Sequence, residues 1–122
     1  MDYNYISQFH KNPPKIRLYR QKDVDEEYKK FLLNHPDHNI NLAKTLFKDN
    51  NTWIITPNKF PYHFIDNTEH LIIWFKGDVN YNLIDFLFRE EEIIYFENLS
   101  SNKSIPNIRH VHIFKKNKFI NK

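Results

Sequence analysis

Apolar positions recur along this chain at two spacings, and each change of spacing marks an element. Tyr28, Phe31 and Leu32 fall at three- and four-residue intervals and stop before His35 and Pro36. This predicts a helix begun at Asp23, with Glu26 three positions on as the partner in a capping box. Leu42, Thr45 and Leu46 repeat the helical spacing in a shorter piece opened by Asn39 or Asn41 and stopped by Asp49, Asn50 and Asn51. The rhythm then becomes that of strands. Residues 53–56 (WIIT) are closed by Pro57, and residues 70–75 (HLIIWF) are closed by Gly77 and Asp78 and read as a central strand. A third helix is expected from Asp78 or Asn80 through Leu83, Ile84, Phe86, Leu87 and Phe88, although Glu90 to Glu92 at its end oppose the helix dipole. Strands at 93–96 and 109–114, separated by the polar loop 98–103, complete the set. Residues 1–15, with Asn12, Pro13 and Pro14 and little periodicity, are expected as an arm lying over the domain. The pattern is that of an α+β fold, a small antiparallel sheet of about four to five strands packed with about two to three helices.

Composition narrows the chemistry. The 122 residues suit a single domain over 1–122, ending in a basic tail over 116–122, and 16% aromatics supply apolar area enough to fold without staples. With no cysteine, disulfides, thiolate metal sites and a cysteine nucleophile are excluded. Gly77 is the only glycine, so glycine-rich phosphate loops are excluded as well. The first residues do not form a basic region followed by an apolar run, and no stretch approaches the length of a membrane span. A cytoplasmic protein without a membrane partner is the expectation. The wealth of Asn, Lys and Ile resembles coding from an AT-rich genome, as in a protist, a fungus or a large DNA virus. The net charge of +3 comes largely from the last residues, so nucleic acid is not an expected partner.

The chemistry concentrates in the last strand. Side chains two apart share a strand face, so His110, His112 and Phe114 point one way while Val111 and Ile113 point the other. The apolar pair is expected to meet the core and the imidazoles a cleft. Successive rings on one face lie roughly 6.5 Å apart, close enough to serve one phosphate or one metal ion. Histidine also titrates near neutrality, as proton transfer requires. His70, opening the neighbouring apolar run, is expected beside them. In the Pro-flanked turn, Asn58 is expected to bond its own backbone, while Asn58, Lys59 and Tyr62 could offer an amide, a cation and a phenol to a ligand. Arg109, Lys59 or Lys103 could neutralise phosphate oxygens. Trp53 and Trp74 read as core.

Three segments together resemble a known family: WIITPNKFPY at 53–62, EHLIIW at 69–74 and SIPNIRHVHIF at 104–114. They are similar to the N-acetylglucosamine-induced protein family of fungi, whose members share an Asn-x-x-Pro-Tyr element, a His-containing strand and a late His-x-His segment. The same order of elements is more distantly similar to the histidine-triad nucleotide hydrolases and transferases. That resemblance implies His112 as the nucleophile, His110 as the first motif histidine and His70 as a histidine from an earlier strand. Phe114 stands where the third histidine of that motif would be, and the usual glycine-rich approach is replaced by residues 104–108.

Two principal readings follow. In one, His112, assisted by His110 and His70, hydrolyses or transfers a phosphoester of a nucleotide or nucleotide sugar, with no cofactor, through a phosphohistidine. In the other, the chain is a non-catalytic ligand-binding or interaction module with a degenerate histidine site. A third places a divalent metal on His70, His110 and His112, with Glu69 as a further ligand. The expected partner in the first two is a phosphorylated small molecule or a nucleotide.

Overall fold

The computed structural model describes residues 1–18, 20–35, 38–98 and 108–116, with the side chains of 38–40 and 43 left outside the description. Lys103, the segment 104–107 and the tail from 117 onward therefore lie outside the described residues. In chain order the elements are α1 (Tyr3–Ser7), α2 (Lys22–Asn34), α3 (His38–Leu46), β1 (Trp53–Pro57), β2 (Thr68–Phe75), α4 (Tyr81–Leu87), β3 (Ile93–Phe96) and β4 (His110–Lys116). The four strands form one sheet in the order β1-β2-β4-β3, antiparallel throughout. The α+β reading with a small antiparallel sheet holds.

β2 and β4 occupy the centre, so each must bury both faces. Register follows: His70 lies opposite Phe114, Ile72 opposite His112 and Trp74 opposite His110. One face carries Ile73, Phe75, Tyr95, Val111 and Ile113, covered by Leu83, Ile84 and Leu87 of α4. The other carries the three histidines with Ile72, Trp74, Ile94, Phe96 and Phe114. At the Phe114 end it is covered by Tyr3 and Ile6 of α1, with Leu18 and Tyr62. At the Trp74 end, Ile108, Leu42, Leu46 and Phe47 close over it. The imidazoles are thus shielded from bulk solvent. His70, His110 and His112 are each 5% exposed, because a central strand has two interior faces and alternation alone cannot tell which of them is solvated.

Element boundaries show where local chemistry decided. Asn80 caps α4, its Oδ1 accepting from the Leu83 amide at 3.0 Å. The acidic run lies beyond that helix, where it does not oppose the dipole; Glu91 and Glu92 pair with Lys115 and Lys116 at 3.3 and 3.8 Å. The basic tail accordingly begins inside a strand. α2 starts at Lys22 after Gln21, so Asp23 sits within the first turn instead of at the cap, where its Oδ1 accepts from the Val24 amide. α3 begins at His38, before either asparagine expected to open it, and Asn50 beyond its end takes a left-handed φ of 62°.

The amino-terminal arm, expected to be non-helical, carries α1, which brings the helices to four among the described residues where two to three were expected. Asp2 caps α1 by accepting from the Tyr5 amide at 2.8 Å, and the segment is tied down by Tyr3 N–H to Asp66 at 2.9 Å and Lys11 N–H to the Tyr95 carbonyl at 2.8 Å. No helix among the described residues is long and apolar enough to cross a membrane.

Phe114, fully buried between the histidines and α1, is the packing centre of its face. Phe114→Ala is expected to cost about 3–5 kcal/mol in chemical denaturation. Leu33→Ser, at a position 81% exposed on α2, is expected to stay within about 0.5 kcal/mol of wild type.

Candidate functional site

Antiparallel register places His70 and His112 diagonally across the β2–β4 pair, and burial drives them to satisfy each other. His70 Nε2 and His112 Nδ1 are 2.8 Å apart, with ring centroids 5.0 Å apart. The Tyr62 amide, which can only donate, gives its hydrogen to His70 Nδ1 at 3.2 Å. Asn98 and Tyr62 complete the group: the Asn98 amide end lies 3.1 Å from both His112 Nε2 and the Tyr62 hydroxyl. His110 stands apart from this chain, donating its Nδ1 hydrogen to the Ile108 carbonyl at 2.7 Å and tilting against Trp74.

Burial sets the protonation. It pushes His70 down to about 3, with Arg20 adding to the effect. His112 lies well below its ordinary value, again chiefly through burial, with His70, His110 and Arg20 adding repulsion. Both rings are neutral at physiological pH. Burial also raises the Tyr62 phenol.

Asn58 fulfils the turn role and more: its Oδ1 accepts from the Phe60 amide at 2.9 Å while its Nδ2 lies 3.3 Å from each His70 ring nitrogen. The loop 58–62 is thereby fastened to β2. Between this loop, the histidine face and helices α2 and α3 lies a cavity of about 230 Å³. His110, His112, Asn98, Tyr62, Trp74 and Ile72 form its floor; Tyr28, Phe31, Leu42, Leu46 and Phe60 form its apolar walls; Arg20 and Lys59 are its cations. No Asp or Glu is among the described residues that line it.

Of the residues singled out by sequence, His110, His112, Asn58, Lys59 and Tyr62 meet at this cavity. His70 lies behind His112 and reaches a separate groove on the far side of the loop. Arg109 is elsewhere: its guanidinium pairs with Glu97 at 2.7 Å and approaches Asp78 at 3.9 Å, so it does not serve the cavity. One step along the chain from His110, strand alternation sends it to the other side. The three-histidine metal reading is also not supported. His70 and His112 spend facing nitrogens on each other, and among the described residues no group of three or more His, Asp or Glu is placed to hold a metal ion.

Sequence reasoning missed Arg20 and Asn98. Arg20 lies over the Tyr28 ring at 4.3 Å and the Tyr62 ring at 5.5 Å, with Nε donating to the Phe60 carbonyl at 2.7 Å. Neither residue sits in a periodic element, so only its partners reveal its role.

The buried pair makes stability pH-dependent. Each folded pKa is depressed, so the stability is complete above about pH 6.5 and is lost as pH falls toward the folded values. Near pH 5, unfolding is expected to bind about two protons at His70 and His112, with a fraction at His10, also lowered by burial. Denaturant titrations across pH should show the slope, about 1.4 kcal/mol per pH unit per proton, reduced by about one proton in His112→Gln.

The chain has known relatives in family and in fold. A search of the curated proteins returns no match. The crystal structure of a protein named HTC1 superposes with a TM-score of 0.70 at 16% identity, covering 83% of this chain and 77% of that one, a likeness of fold. A model of the family described as "Protein of unknown function (DUF3605)" matches residues 2–84, more than half of the chain, and the chain belongs to that family.

Proposed function

We propose that this chain is a binding module for a small organic molecule held in the cavity between the histidine face and helices α2 and α3, and that the histidines form its floor without acting as nucleophiles. The observation that carries this reading is the wall of the cavity. It joins aromatic and aliphatic side chains to a few polar groups, the composition of ligand pockets, at a volume somewhat below their usual range of roughly 300–1,000 Å³.

A phosphotransfer role for His112, as the histidine-triad resemblance implies, needs a ring nitrogen free to attack phosphorus. Both nitrogens of His112 are engaged, Nδ1 with His70 and Nε2 with Asn98. Phe114 occupies the place of the third histidine and packs in the core. These contacts favour the binding reading over the catalytic one, with a phosphorylated small molecule or a nucleotide as the class to screen.

Tyr28 adds support. Its hydroxyl is buried beside the cavity without a hydrogen-bond partner among the described residues, while its ring forms part of the wall. An unsatisfied buried hydroxyl costs about 1–3 kcal/mol, so its retention is more readily understood at a site where the hydroxyl serves something else.

Thermal unfolding against nucleotides, nucleotide sugars and sugar phosphates is expected to reveal a ligand that stabilises wild type by about 2.7 kcal/mol at 100 times its dissociation constant. Leu42→Trp, which fills the cavity from α3, should fold and lose that stabilisation; retention of it would place the ligand elsewhere and refute the reading. Tyr28→Phe is expected to match or exceed wild-type stability by up to about 1 kcal/mol in the absence of ligand, read by denaturation.

A further inference from the structure

Four hydrogen bonds around His70 and His112 form a closed circuit whose direction is fixed at one point. A backbone amide only donates, so Tyr62 N–H makes His70 Nδ1 an acceptor. The neutral His70 ring then carries its hydrogen on Nε2 and donates to His112 Nδ1 across 2.8 Å. His112 in turn carries its hydrogen on Nε2, and that hydrogen needs an acceptor on Asn98. The structure sets Asn98 Nδ2 at 3.1 Å from this nitrogen, which opposes donor to donor. Turning the amide by 180° brings Oδ1 to the same point, where it accepts from His112 Nε2–H and from the Tyr62 hydroxyl together. Every member of the circuit is then satisfied, as a buried polar network requires.

The consequence reaches the cavity. With its oxygen consumed, Asn98 turns its NH2 group away from the histidines, and Asn98 is part of the cavity lining. Thr56, also in the lining, accepts from the Trp74 indole at 2.9 Å and so keeps its own hydrogen to give. Arg20 and Lys59 contribute cationic donors; they lie against aromatic rings, and neither has a carboxylate partner among the described residues.

Resting on the pocket reading above, we infer that the histidine–asparagine circuit fixes Asn98 as a donor toward the cavity, and that the cavity therefore selects a ring-bearing molecule with an anionic, acceptor-rich group such as a phosphate or carboxylate. His70 and His112 are positioning residues in this scheme, since they act through Asn98. The aromatic walls receive the ring; Arg20, Lys59, the Asn98 amide and the Thr56 hydroxyl receive the anion.

The test uses the full chain labelled with ¹⁵N and three probes of one shape: phenyl phosphate, benzyl alcohol and benzylamine. Long-range imidazole spectra are expected to show both His70 and His112 neutral with hydrogen on Nε2; hydrogen on Nδ1 of either ring would overturn the circuit. Phenyl phosphate is expected to shift the Asn98 amide resonances and to bind at least about tenfold more tightly than benzylamine, the scale of a charge-assisted hydrogen bond. Asn98→Asp keeps an acceptor for His112 and Tyr62 but turns a carboxylate oxygen to the cavity, so it should fold, lose phenyl phosphate binding by about tenfold or more and gain affinity for benzylamine. Equal binding of phenyl phosphate and benzylamine to wild type, or an unchanged preference in Asn98→Asp, would refute the assigned ligand class while leaving the pocket. Absence of binding by all three probes would overturn the pocket reading itself and the ligand class with it, even where the tautomers are as expected.

Discussion

The hydrogen bond between His70 and His112 sets the terms for the rest of this structure. It crosses the two central strands on a largely apolar face, at a depth where an unpartnered imidazole would be costly. Burial keeps both rings neutral, and neutrality gives each ring one donor and one acceptor. The remaining partners must then match in direction as well as position. Tyr62 supplies the donor from its backbone, and Asn98 closes the far end. The loop 58–62 is held by the same ring, through Tyr62 and Asn58, so the wall of the cavity and its floor share one anchor.

That arrangement changes the meaning of a His-x-His strand. Two histidines alternating with Val111 and Ile113 suggest an exposed reactive face, yet here the histidine face is buried as well, apart from the cavity it floors. Phe114 shows why: it stacks with Tyr62 and packs against Phe96 and Ile6, continuing the imidazole row into a hydrophobic cluster. The row is an interior surface whose buried His70 and His112 are paired with each other, and the group proposed to meet a ligand is a neighbouring amide.

Much of the fold was legible because strands that bury a face write a period of two. All four strands fall where residues 53–56, 70–75, 93–96 and 109–114 indicated, within a residue or two at their ends. The helix capped by Asn80 was equally readable. The five-residue α1 was not, although Asp2 carried a capping signal, because one turn of helix is too short to show periodicity. The cluster of His70 with His112 followed from strand neighbourhood. Arg20 and Asn98 could not follow from it, since each acquires its role from residues outside its own segment: Arg20 from the Phe60 carbonyl and the Tyr62 ring, Asn98 from Tyr62 and His112. Arg109 was misplaced for the converse reason. Its proximity to His110 in sequence suggested proximity in space, while alternation along the strand separates them and Glu97 claims the guanidinium.

The claim that His70 and His112 form one satisfied unit is tested most directly by a double-mutant cycle on stability with His70→Leu and His112→Leu. Each single change strands a buried partner, whereas the double change removes both polar groups. The pair should therefore show a coupling of about 1–3 kcal/mol, with the double variant losing less than the sum of the singles. Additivity within about 0.5 kcal/mol would mean that the two rings are energetically independent, and would contradict the shared anchor proposed for the cavity.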